Sequence, residues 1–114
     1  MPGYIYILAN KNHTTLYIGV TNFLPRRMYE HIKTPSPGSF TKRYNLTRLV
    51  YAEAHATIVE AIAREKQLKR WSRSKKDALI KATNPALENL LTWHEGEDLP
   101  EVTMPKHHYG KLVL

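Results

Sequence analysis

The chain has 114 residues, the usual size of one domain with a single core, and its 17 Lys and Arg against 10 Asp and Glu leave a formal charge of +7. The absence of cysteine excludes disulfides and thiolate metal sites, and no run approaches the ~20 apolar residues of a membrane helix. The N-terminal "MPGYIYILANKNH" carries no basic stretch ahead of its short apolar run, so the expectation is a cytoplasmic protein with no membrane partner.

In chain order, residues 4–9 and 15–20 are rich in Ile, Tyr, Leu and Val and flank the polar "NKNH", which reads as a β-hairpin. Asn22 stands where a helix cap belongs, and residues 23–33 form an amphipathic segment with Pro25 in its first turn and Leu24, Met28 and Ile32 on its apolar line. "TPSPGSF" breaks that helix, and residues 47–54 read as a third strand. Helices are expected over residues 57–70 and along "RSKKDALIKA", with Asn84-Pro85 opening a short last one through Leu91. From Trp93 onward periodicity is lost, which divides the chain into a domain over 1–92 and a tail of uncertain order over 93–114.

Strand alternation makes the first specific statement about a site. If Ile5 and Ile7 are buried together with Leu16 and Ile18, residue 7 pairs with 16, or in a register two residues away, and either choice puts Tyr6 and Tyr17 on the opposite face. Gly19 lies on that face too and leaves room beside the phenols. On the first helix, Arg27 and His31 stand i and i+4 at the sheet-facing margin, while Arg26 points away. On the long helix, Ile58, Ala61, Ile62 and Leu68 share a face with Glu65 near its centre. A carboxylate aimed inward must meet a cation: Lys69 one turn on, an arginine across the fold, or a bound metal.

The basic excess is local. Seven Lys and Arg and one acid fall between Arg64 and Lys76, which fits either a polyanion-binding patch or a solvated helix face. Two phenols, an arginine, a histidine and a single hard carboxylate are the parts a phosphodiester hydrolase needs, the carboxylate suiting Mg²⁺ and the guanidinium suiting phosphate. Nothing clusters as zinc ligands do, and no glycine-rich loop marks a nucleotide site.

Over about residues 3–91 the chain resembles the GIY-YIG nuclease superfamily, most closely its small stand-alone bacterial members. "YIYIL" stands at the first motif and "YIG" at residues 17–19 is the second. "RRMYEH" supplies the motif helix, "GSFTKRYNLTRLVYAE" the loop and third strand, and "EAIAREKQLKRW" the helix with the metal-binding glutamate. The first motif departs in one place: Gly3 sits one position before the motif's glycine, and Tyr4 occupies that place. The resemblance implies an α+β fold, a small three-stranded antiparallel sheet flanked by helices. It implies Mg²⁺- or Mn²⁺-dependent hydrolysis of DNA, structure-selective in repair or recombination, with RNA as the lesser alternative substrate. Carried over, Tyr6, Tyr17, Arg27, His31 and Glu65 are catalytic, Glu65 holds the metal, and Asn84 is structural, as is Gly19 beside the tyrosines. Arg26, Lys42, Arg43, Lys69, Arg70, Arg73, Lys75 and Lys76 are the expected DNA contacts. The competing reading is a non-catalytic nucleic-acid-binding module on the same fold. Target choice would come from DNA structure or from a protein partner, and the oligomeric state is not legible.

Overall fold

Alternating apolar residues close the hairpin as expected: β1 (Gly3–Ala9) and β2 (Leu16–Thr21) pair antiparallel in the computed structural model, which describes residues 1–105. The register sets Ile7 against Ile18, Tyr6 against Gly19 and Leu8 against Tyr17, the alternative two residues from the 7–16 pairing. A third strand, β3 (Arg48–His55), runs antiparallel along the other side of β1, giving the order β2-β1-β3. The ladder slips between Ile7 and Leu8, which face Tyr51 and Leu49, so Val50 is the extra residue of a bulge.

Each face of this sheet buries a different helical layer. Ile5, Ile7, Ala9 and Ile18 lie with Val50 and Tyr51 against Ala61 and Leu68 of α3 (Ile58–Lys69) and Ile80 of α4 (Arg73–Thr83). Tyr6, Leu8, Leu49 and Ala52 pack on the opposite face with Leu24 and Met28 of α1 (Leu24–Ile32). The architecture is the α+β arrangement expected from the sequence, a three-stranded antiparallel sheet flanked by helices.

Four local expectations are corrected. Asn22 does not cap α1: Phe23 holds the cap position without a side-chain bond, and Asn22 Oδ1 instead accepts from Arg26 Nη2 at 3.0 Å. A short helix, α2 (Phe40–Arg43), begins at the last residue of the breaker segment, and its cap Ser39 accepts from the Lys42 amide. Among the described residues no helix follows Asn84. Its Nδ2 donates to the carbonyls of Val50 and Glu88, its Oδ1 accepts from the Glu88 amide, and Leu87 takes φ 53°, so the segment satisfies its polar groups on β3. Finally, Ile62 is 38% exposed and is not part of the buried face of α3.

Beyond residue 90, β4 (Leu91–Thr92) and β5 (Glu101–Val102) pair antiparallel. Trp93 and Val102 pack on the α1 side of the sheet, so part of the expected tail contributes to the body, and residues 106–114 lie outside the described residues.

Candidate active site

The β1–β2 register and the pitch of α1 bring four expected residues together. Tyr6 is buried on β1, Tyr17 opens to a cleft on β2, and their rings lie 6.2 Å apart. From α1, His31 Nε2 is 2.7 Å from the Tyr6 hydroxyl, and Arg27 Nε donates to the same oxygen at 3.4 Å. On its other side, His31 Nδ1 meets Thr41 Oγ1 at 3.3 Å. With Nδ1–H donating to Thr41, Nε2 is the acceptor and Tyr6 donates to it.

Gly19 fills a tighter role than the expected open space. A Cβ there would lie 2.3 Å from the Tyr6 ring, so the space above the glycine is occupied by Tyr6 itself. Tyr17, Arg27, Glu30, His31, Phe40 and Thr41 are among the residues lining a cleft of about 440 Å³ beside this group.

Burial dominates the electrostatics. It holds the Tyr6 phenol well above the usual tyrosine range; the Arg27 hydrogen bond acts the other way, and the Tyr17 and Glu65 charges reinforce the rise. Burial, with the Arg27 charge, pushes His31 down to about 4, so its imidazole is neutral at pH 7. The Tyr6 proton therefore has a neutral acceptor already bonded to it.

Glu65 approaches from α3, on the other side of the sheet, within electrostatic range of Tyr6. Its side chain is 16% exposed and its Oε2 lies 3.6 Å from Lys69 Nζ, the first of the three cations the helix projection allowed, in a contact too open for a buried ion pair. The buried carboxylate is Glu53 on β3, 1% exposed. Arg64 donates to it at 2.9 and 3.2 Å, His55 Nε2 lies 2.8 Å away, and Tyr51 donates a hydroxyl. Burial opposes the Glu53 charge, yet these hydrogen bonds hold the carboxyl below the usual carboxylate range. Arg64 is thus not free for a polyanion.

Several expected DNA contacts are likewise committed. Arg73 donates to Asp77 at 3.1 Å and to the carbonyls of Thr14 and His13, fastening α4 to the hairpin loop. The Lys75 ammonium sits 4.2 Å from the centre of the Trp71 ring. Arg26 is exposed but tied to Asn22, and Lys69 faces Glu65. Arg70 and Lys76 keep their charges clear of acidic partners among the described residues, as does Lys66, which the sequence reading did not single out. Lys42 and Arg43 are exposed on α2, beside the cleft.

The sequence reading also missed Glu30, which accepts from Arg27 Nη1 at 3.1 Å, and Thr41. The i, i+3 spacing could have given the first; Thr41 depends on a four-residue helix that no periodicity announces.

A UPF0213 protein of Bacillus pumilus is 35% identical over 77 residues, 68% of this chain and 76% of the relative. One from Syntrophus aciditrophicus is 35% identical over 78 residues, 68% and 88% of the two chains. The solution NMR structure of a UPF0213 protein from Bacillus halodurans shares 32% identity, covers 78% of this chain and 93% of its own, and gives a TM-score of 0.49. The GIY-YIG catalytic domain family matches residues 2–78, the interval that holds Tyr6, Tyr17, Arg27, His31 and Glu65; the chain belongs to this nuclease-type family, whose substrate is nucleic acid.

Proposed function

We propose that the chain is a divalent-metal-dependent endonuclease that hydrolyses DNA phosphodiester bonds, acting on DNA structures of the kind met in repair and recombination. The observation that carries this reading is the Tyr6 hydroxyl held 2.7 Å from a neutral His31 and 3.4 Å from the Arg27 guanidinium. Tyr6 is covered in the free protein, so substrate binding must open a path to its oxygen; a water attacking phosphorus then gives its proton to that oxygen as the Tyr6 proton passes to His31 Nε2. The new P–O bond forms while the bond to the leaving sugar oxygen breaks, and that oxygen is protonated from solvent. Arg27 offsets charge on the non-bridging oxygens, and Tyr17, opening onto the same cleft, orients the phosphate.

Among the described residues no three His, Cys, Asp or Glu gather as a metal cage. One partly covered carboxylate, Glu65, fits Mg²⁺ or Mn²⁺, which complete their shells with water and phosphate. When bound, such an ion supplies positive charge against the scissile phosphate. The Glu65–Lys69 contact favours the second reading, a non-catalytic nucleic-acid-binding module.

Incubating wild type and Glu65→Gln with supercoiled, branched and single-stranded DNA, in Mg²⁺ or EDTA, decides between them. The nuclease reading expects Mg²⁺-dependent cleavage that Glu65→Gln abolishes while binding survives. Stability in EDTA should change by no more than about 1 kcal/mol, because Lys69 is largely exposed and keeps its hydration when the 3.6 Å contact is lost. Full cleavage by Glu65→Gln would remove Glu65 from the metal role. Binding without cleavage by wild type on every DNA would favour the module.

A further inference from the structure

The cleft is bordered by an aromatic surface that the hydrolytic roles do not use. Phe40 and Tyr44 are 46% and 42% exposed, their ring centroids are 4.6 Å apart, and the Phe40 ring lies 6.1 Å from that of Tyr17. Two neighbouring aromatic rings left in water forgo the burial that usually stabilises such side chains. They are also held in place. Thr41 between them is buried against His31, the Tyr44 amide donates to the Phe40 carbonyl at 3.1 Å, and the Leu46 amide to that of Thr41 at 2.9 Å. Charge surrounds the pair: Arg43 stands 5.7 Å from the Tyr44 ring centre, and Lys42 is exposed on the same short helix.

Rigid aromatic faces interleaved with cations suit a polyanion that offers flat, apolar rings of its own. A base inside a duplex keeps both faces stacked on its neighbours, so only an unpaired base can use this surface. We propose, resting on the nuclease reading above, that Phe40 and Tyr44 form a stacking platform for an unpaired nucleobase next to the scissile phosphate. Lys42 and Arg43 hold the flanking phosphates. The substrate class is then single-stranded DNA, or a strand with unpaired nucleotides at the cut.

The test reads binding in EDTA, where hydrolysis plays no part, with a short single-stranded oligonucleotide carrying 2-aminopurine and with its duplex form. Tyr44→Ala and Phe40→Ala are each expected to weaken single-strand binding about tenfold and to reduce the fluorescence quenching, with duplex binding held within about twofold. Tyr44→Phe should restore both. Because Phe40 leans on Tyr17, the Tyr44 variants carry the decision if Phe40→Ala lowers the melting temperature. Equal losses on single strand and duplex, or unchanged single-strand binding, would overturn the platform. Loss of quenching with no cleavage of any DNA by wild type would support the platform and fault the nuclease reading.

Discussion

At the scale of single residues, the site depends on one hydroxyl with several partners. Tyr6→Phe removes only that oxygen, and activity should fall by ~10²-fold or more if it moves a proton. Urea unfolding should register a cost of about 1–3 kcal/mol, because His31 Nε2 loses its buried donor. Tyr17→Phe should lower activity with little cost in stability, its ring remaining against Tyr6 and Phe40. The depressed His31 pKa adds a pH dependence with a definite sign. Since the folded value is about 4 and the unfolded value near 6.5, the stability tied to neutral His31 is complete above pH ~6.5 and is lost as pH falls toward 4. Melts between pH 7 and 4 should show wild type losing on the order of 3 kcal/mol more than His31→Gln. The acidic limb of kcat/KM should likewise fall near 4, and a limb near 6.5 would show that burial does not govern this imidazole.

At the scale of elements, α3 is tied to the sheet by charge as well as by apolar packing. Its middle carries Arg64 to Glu53 on β3, and Arg64→Ala should destabilise by roughly 3 kcal/mol in urea, since a buried carboxylate then loses its cation. The same variant should leave the salt dependence of DNA binding unchanged. An unaltered midpoint would mean that His55 and Tyr51 suffice for Glu53. Glu53 was legible only as part of a strand, because a carboxylate between Ala52 and Ala54 gives no sign of which helix will face it. Other features were open to reading. The period-2 alternation of β1 and β2 puts Tyr6 and Tyr17 on one face, and the pitch of α1 puts Arg27 and His31 at its margin. Projection alone misjudged one position of α3, placing Ile62 on the buried face, whereas it is 38% exposed and Glu65 is only partly covered. The stretch after Asn84 misled for another reason: an Asn-Pro start is compatible with a helix, but side-chain and backbone bonds to β3 win there. The two-residue strands β4 and β5 are too short for any periodicity to appear.

At the scale of the whole molecule, charge and cleft lie on different sides of one thin sheet. If Lys42, Arg43, Lys66, Arg70 and Lys76 meet phosphates, the log-log salt slope of binding should be about −4, and reversing the last three to glutamate should flatten it by about 3. No change after that triple reversal would place the DNA path wholly on the α1 side. The two tryptophans offer an independent view, because Trp71 packs with the α3–α4 layer and Trp93 with the α1 layer. Each indole is therefore an optical reporter for one side of the sheet. In single-tryptophan variants, Trp93→Phe and Trp71→Phe, emission follows the loosening of each layer separately in rising urea. A catalyst that takes Tyr6 and His31 from one layer and Glu65 from the other needs both layers intact, so catalysis should disappear with whichever indole signal moves first.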